Sequence, residues 1–227
     1  METHTIPARS PQWRAILHNF DRVDEGMLPG DLFFRGDLSG LLDEGHPRVL
    51  ILGTRSPSAA DIHLIEYVVS LLAENPVRPV LLSGLGIGTD MVAQLAAVRD
   101  GLRSVAVLPC GLGQIYPHCN EDLAGRISSL EGSALVSQFP DGTLPEPLRF
   151  LERTRTLVLM SDLVVIPAAR EKGAAIVAAR LAASIGVPVF AVPGDPMYPT
   201  RQGCNALIEE GSARLLRKVE SLREWHL

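Results

Sequence analysis

Lysine is nearly missing from this 227-residue chain: it occurs only at Lys172 and Lys218, so arginine supplies almost all of the 21 basic residues. Acidic residues number 26 and the formal net charge is −5. Proteins that coat nucleic acid over their whole surface neutralise phosphate with an excess of Lys and Arg, so that class is excluded and any nucleic-acid site is local. Arginine suits planar, bidentate phosphate contacts, but a high-GC coding bias yields the same preference and is the weightier explanation. Cysteine is also scarce. Cys110, Cys119 and Cys204 are odd in number and form no C-x-x-C pair, which excludes a disulfide framework and a zinc knuckle and leaves free thiols. Aromatic residues make up 5%, and Trp13, Phe20, Phe33 and Phe34 fall mostly outside the cleft inferred below, so no stacking platform is obvious. His18, His46, His63, His118 and His226 show no metal-ligand spacing, and no metal or cofactor is expected. No apolar run reaches the roughly 18 residues needed to span a bilayer. The opening METHTIP lacks a basic segment followed by an apolar one, and the expectation is a cytoplasmic protein with no membrane contact.

What the chain does have is glycine in a telling place. At 80–90 an apolar strand, VLLS, runs into GLGIG and then into a helix opening at Thr89 or Asp90. Glycine lets the backbone turn sharply and approach a ligand, and the first N–H groups of the helix then face an anion. On this reading Ser83, Gly84, Gly86 and Gly88 are candidate phosphate contacts, although a tight turn that binds nothing has the same sequence. Asp90 reads first as a helix cap. The spacing is G-x-G-x-G rather than G-x-G-x-x-G, and the next strand ends in Pro109 and Cys110 with no acidic ribose partner, which disfavours NAD.

From Arg48 onward short apolar runs alternate with helical stretches, the signature of βαβ units on a parallel sheet. Strands are expected at 49–52, 80–83, 105–108, 134–137, 163–167 and 187–192. Helices are expected at 58–73, 89–99, 120–129, 149–160, 173–184 and 203–210. The runs are apolar throughout rather than alternating, as in strands covered on both faces. The fold class is therefore α/β: a three-layer, Rossmann-like, doubly wound and mostly parallel sheet. Residues 1–47 read as a lead-in packed on the core, 48–216 as the core, and 217–227 as a tail helix with Val219, Leu222 and Trp225 on one stripe.

In such sheets ligands sit beyond the carboxyl ends of the strands. That edge collects Arg55, the glycine loop, the long connections 110–118 and 139–148, and Lys172. Arg55, Arg153 and Arg155 are the best candidates for anion contact, although two residues apart on a helix Arg153 and Arg155 cannot face the same way. Lys172 is either an anion ligand or a solvated loop lysine. Tyr116, before Pro117, is placed to stack on a base or to pack within its loop.

Together these segments resemble the Rossmann-like core of the DNA-processing protein A family, also called DprA or Smf. LGTRSPS at 52–58 is similar to its V-G-x-R-x-x-S, and SGLGIGTD at 83–90 to its S-G-x-A-R-G-I-D. PCGLGQIYP at 109–117 resembles G-x-x-x-x-Y-P, FLERTR at 150–155 resembles F-x-x-R-N-R, and VPG at 192–194 matches V-P-G. GCNALIEEG at 203–211 matches G-x-N-x-L-I-x-x-G, and LFFRGD at 32–37 is similar to the lead-in. Each motif is short; their shared order, across about residues 29–216, is specific. The resemblance implies an extended Rossmann fold that binds single-stranded DNA, helps load RecA in recombination and natural transformation, forms homodimers and is not an enzyme. It implies a core-only member, without the helical domain before the core or the winged helix after it that many members carry.

The departures bear on function. Ile87 stands where the family's glycine loop has arginine, Thr154 replaces an asparagine, Gln138 and Pro167 replace glutamates, and Lys172, Ala174 and Val177 replace hydroxyl residues. A second reading is therefore a protein that binds a nucleotide or nucleotide derivative in the same crevice. A third is a phosphoribohydrolase similar to the cytokinin-activating LOG proteins, whose P-G-G-x-G-T-x-x-E is echoed at Gly86, Gly88 and Thr89. Val92 stands where that motif has its glutamate, which removes the evident reacting carboxylate.

Overall fold

The structure, a computed structural model, describes residues 2–223. Six parallel strands form its centre: β3 (Arg48–Ile51), β4 (Val80–Ser83), β5 (Ser104–Leu108), β6 (Ala134–Ser137), β7 (Leu163–Ile166) and β8 (Val189–Ala191). Every residue of β3 to β7 is buried, which is why these runs carry no polar alternation. Their period of two still divides the core. Leu50, Leu82, Val105, Val136 and Val164 face one layer, whereas Val49, Ile51, Leu81 and Val165 face the other.

The first layer holds α1 (Pro11–Ile16), α6 (Pro147–Leu159), α7 (Ala174–Ser184) and α8 (Pro199–Glu209). The second holds α3 (Ala59–Glu74), α4 (Thr89–Arg99) and α5 (Glu121–Ser128). The last helix begins at Pro199, four residues before its expected start, because proline fits the first helical turn. A 3-10 turn, Val219–Arg223, stands where a tail helix is expected; its Leu222 packs in the core beside α3. Trp225, expected on the same stripe, lies outside the described residues.

The lead-in contributes to the sheet itself. β1 (His4–Ile6) and β2 (Leu32–Gly36) add two antiparallel strands beside β6, and β9 (Arg214–Leu215) extends the other edge, giving the order β1-β2-β6-β5-β4-β3-β7-β8-β9 among the described residues. Trp13 of α1 is buried in the main core, with its indole N–H donating to the carbonyl of Gly30 at 2.8 Å. The buried Arg48 guanidinium donates to the carbonyls of Ala15, Ile16 and Leu41, so it closes the ends of α1 and of the short α2 (Ser39–Leu42).

Strand order reverses at β3, with β4 on one side and β7 on the other. The crevice at such a switch point is where this architecture places ligands, and it brings the residues following β3, β4 and β7 together.

Asp37 fastens the turn after β2 by accepting the backbone N–H groups of Ser39 at 2.8 Å and Gly132 at 2.7 Å. These bonds, led by that from Gly132, hold its carboxyl below the ordinary value of 3.8. Its stabilisation is therefore present above 3.8 and lost as pH falls through that value towards the lower folded-state one. Asp37→Ala is expected to cost about 1–2 kcal/mol in urea denaturation at neutral pH, with the gap from wild type closing below pH 3.8. A gap that persists in acid would show that the carboxylate charge is not the agent.

Candidate nucleic-acid interface

The glycine loop does not have the arrangement its sequence suggests. The backbone N–H groups of Gly84 and Gly86 both bond to the carboxylate of Asp90, and that of Leu85 donates to the side-chain oxygen of Gln94 at 3.1 Å. The first three donors of the loop thus serve an internal carboxylate and amide rather than a phosphate. Asp90 sits in the first turn of α4, where the positive end of the helix also favours its charge.

Arg153, reaching in from α6, places Nη1 3.4 Å from Asp90 Oδ2; the two residues are 5% and 8% exposed. Burial pushes the Asp90 carboxyl up and the Arg153 guanidinium down from their ordinary values, while each partner's charge opposes the shift. The Arg153 guanidinium lies against Gly84 so closely that any Cβ there would fall 1.1 Å from Nη1. Gly88 has φ +91°, and a Cβ there would lie 2.5 Å from the Thr54 carbonyl oxygen. Gly88 is required by its backbone packing, whereas a side chain at Gly84 would displace the Arg153–Asp90 pair. The buried Ser83 hydroxyl donates to the carbonyl of Ile51 at 2.7 Å, tying β4 to β3. Ser83, Gly84 and Gly86 therefore shape the site with donors already engaged inside the fold, and Gly88 shapes it through its backbone conformation.

Beside this brace the crevice is open in two connected parts. A cleft of about 270 Å³ is lined by Leu52, Arg55, Ile87, Tyr116, Phe150 and Arg153, among others. A side cleft of about 220 Å³ is lined by Thr54, Arg55, Ser56, Arg170 and Lys172. Gly53, Arg55, Gly173, Ala174 and Ala175 line both, so the N-terminus of α7 faces each of them, and no side chain caps it. Arg55, Arg170 and Lys172 are exposed, and their side chains make no hydrogen bond or ion pair among the described residues. One Arg153 atom, Nε, is buried without a partner among the described residues.

The opposite wall is apolar. Tyr116 and Phe150 meet edge to face with ring centroids 5.7 Å apart, Pro117 follows Tyr116 through a cis peptide bond, and Ile87 stands 46% exposed at the rim. The arrangement joins free cations and helix N–H groups on one side to aromatic and aliphatic surface on the other.

The loop carrying Arg55 is held from three sides. Thr54 donates its N–H to Ala168 at 2.8 Å, its carbonyl accepts from both the backbone and the hydroxyl of Thr89 at 3.0 Å, and its hydroxyl accepts from the N–H of Ser56. A few residues on, Ser58 and Asp61 form a capping box on α3. Asp61, almost fully buried, also pairs with Arg201 at 2.6 Å, and Arg201 in turn donates to the carbonyl of Pro167.

Among the expected anion ligands, Arg55 and Lys172 are brought together on the side cleft, whereas Arg153 is engaged by Asp90. Arg155 lies about 200° around α6 from Arg153 and lines neither part of the crevice. Sequence reasoning missed Arg170, Phe150 and the Asp90–Arg153 pair, whose members are 63 residues apart with no local pattern joining them. A larger hollow of about 650 Å³ lies at the opposite edge of the sheet. Several of its polar groups pair with one another: His18 meets Asp162 at 2.9 Å and accepts from Arg48 at 2.8 Å, and His46 meets Asp43 at 3.2 Å. It acts as a structural junction.

The sequence model of the family described as DNA recombination-mediator protein A matches residues 6–226. The chain belongs to this family. It is 30% identical over 221 residues to the DNA processing protein DprA of Bacillus subtilis, covering 97% of this chain and 70% of that protein. The solved structure of DNA processing protein A from Streptococcus pneumoniae superposes with a TM-score of 0.86 at 25% identity, covering 100% of this chain and 76% of that one. That from Helicobacter pylori, described for its single-stranded DNA binding mode, gives 0.83 at 27% identity over 99% and 95%. The match to the curated Streptococcus pneumoniae protein spans 66% of its length. The Rossmann-like class expected from the strand pattern is thus the fold of the family.

Within this DprA-type core, the Asp90–Arg153 pair should behave as a buried ion pair whose members depend on each other. Asp90→Ala and Arg153→Ala are each expected to cost about 3–5 kcal/mol in urea denaturation, because each leaves a buried charge uncompensated. The double variant should lose clearly less than the sum. Additive losses would show that the two side chains are not coupled.

Proposed function

We propose that this chain binds single-stranded DNA in the crevice between β3, β4 and β7 and acts in DNA processing, recombination or natural transformation. The observation that carries the reading is the pairing of free cations with a stacking wall: Arg55 and Lys172 flank the uncapped start of α7, opposite Tyr116, Phe150 and Ile87. A single strand needs both kinds of surface, cations and helix N–H groups along its phosphates and aromatic faces against its bases. The single-stranded DNA binding described for the Helicobacter pylori relative supports the same ligand class.

In this reading Arg55, Lys172 and the N–H groups of α7 hold phosphate, and Tyr116 with Phe150 holds a base. Arg153 positions the glycine loop, while Ser83, Gly84, Gly86 and Gly88 set its shape. The protein works by binding and presenting the strand rather than by transforming it. Handing that strand to RecA and acting as a homodimer belong to the same proposal.

Charge enters in a definite way. With a formal net charge of −5, the surface as a whole opposes a polyanion, so attraction comes from a few cations at the crevice. Each phosphate contact contributes about 0.7 to the slope of log affinity against log salt for a single strand. Fluorescence anisotropy of a labelled oligonucleotide is expected to show affinity falling with salt, with the slope shallower by about 0.7 in Arg55→Ala and in Lys172→Ala. Tyr116→Ala should weaken binding by about 1–3 kcal/mol and leave the slope unchanged. Binding indifferent to salt, or to Arg55, would end this reading.

The dimensions favour one alternative. A cleft of about 270 Å³ with an apolar wall and a cationic rim also suits a free nucleotide or nucleotide derivative. A mononucleotide that displaces the oligonucleotide and raises the melting temperature at millimolar concentration would favour this ligand over the strand.

A further inference from the structure

At the same edge of the sheet, the connection between β8 and α8 holds two large side chains out in solvent: Met197 is 83% exposed and Tyr198 63%. Isolated exposed apolar residues are ordinary, but this connection is built to hold them. The N–H of Met197 donates to Asp195 Oδ1 at 2.9 Å, that of Tyr198 to the Asp195 carbonyl at 3.0 Å, and that of Arg201 to the Tyr198 carbonyl at 2.9 Å. Gln202 donates to the Pro196 carbonyl, and the Asn205 side chain exchanges two hydrogen bonds with the backbone of Gly194. Pro193, Pro196 and Pro199 restrict the backbone further. The Tyr198 hydroxyl has no hydrogen-bond partner among the described residues.

The connection abuts the side cleft. The carbonyl of Thr200, two residues after Tyr198, accepts the N–H of Ala169 at 2.8 Å, and the carbonyl of Ala169 accepts the N–H of Gly203 at 3.0 Å. Ala169 lines the cleft beside Arg170 and Lys172. Two acidic residues share this rim, Glu171 and Asp195. Against them stand three free cations, Arg55, Arg170 and Lys172, so the charge along this rim is net positive.

We propose that Met197 and Tyr198 form a second stacking platform, which takes a base of the same single strand after its backbone has passed Arg55, Lys172 and Arg170. This rests on the single-strand reading and extends it from one gripped nucleotide to a track. A flat, pre-ordered aromatic beside free cations is the combination that holds unpaired bases without reading their sequence, and a fixed loop lowers the ordering cost of binding.

The test compares the whole chain with its Tyr198→Ala, Tyr198→Phe and Arg55→Ala forms on oligonucleotides of about 4 and about 16 nucleotides. Tyr198→Ala is expected to weaken the long oligonucleotide about tenfold and leave the short one unchanged, with Tyr198→Phe behaving as wild type. Because the ring is exposed, the melting temperature should not move. If Arg55→Ala weakens both lengths while Tyr198→Ala weakens neither, the platform is overturned and the single-strand reading stands. If Arg55→Ala changes neither length, the underlying reading fails and the platform with it. If Tyr198→Ala lowers affinity only by dissociating a dimer in size-exclusion light scattering, the occupant is a second copy of the chain and the platform is overturned.

Discussion

A carboxylate buried under the glycine loop is the constraint around which the crevice is arranged. Asp90 cannot remain ionised in an apolar layer without donors and a counterion, and it takes both from its surroundings: the N–H groups of Gly84 and Gly86, and the guanidinium of Arg153. That choice fixes α6 against the start of α4 and defines the floor of the cleft. It also removes Arg153 from the set of cations free to meet a ligand. The cations left free at this edge are Arg55, Arg170 and Lys172, beside the uncapped start of α7.

The central sheet is legible in the sequence because strands covered on both faces are apolar in every position, and the helices between them are bounded by Gly, Pro, Ser and Asn. The place of the crevice is legible too, since the segments beyond the carboxyl ends of the strands can be read off once the strands are recognised. Side-chain direction is the less accessible property. Ser83 ends its strand as a ligand hydroxyl would, yet it faces the carbonyl of Ile51 in the neighbouring strand. LFFRGD reads as a short strand and turn, but nothing local says that it pairs antiparallel with β6. The Asp90–Arg153 pair is invisible for the same reason: its partners come from two helices separated in the chain by β5, α5 and β6.

The position of Ile87 changes the balance of forces at the cleft. An aliphatic side chain at the tip of the glycine loop, lining the cleft with Tyr116 and Phe150, offers contact to a base and none to a phosphate. Under the proposed function this, together with the overall negative charge, would shift binding away from counterion release and towards stacking and burial. Such a site should tolerate salt better than one ringed with arginine while tolerating loss of its aromatic wall less well. The family likeness and the local chemistry are therefore compatible without being interchangeable: ancestry supplies the crevice, and the side chains on its rim would set how the proposed strand is held there.

In the proposed function, rigidity is what would let so few free cations suffice. Arg55 is carried on a loop tied to β7 through Ala168, to α4 through Thr89 and, by way of the Asp61–Arg201 pair, to α8. Because Asp61 also caps α3, one buried carboxylate fixes the entry of a helix and the separation of two ligand-facing loops. A guanidinium on a mobile loop would lose conformational freedom when it met a phosphate, offsetting much of its attraction; on a loop already immobilised by folding, that cost has been met before the ligand arrives. The two buried acid–arginine pairs thus act at different points of the same edge, one closing the floor of the crevice and the other steadying its cationic rim.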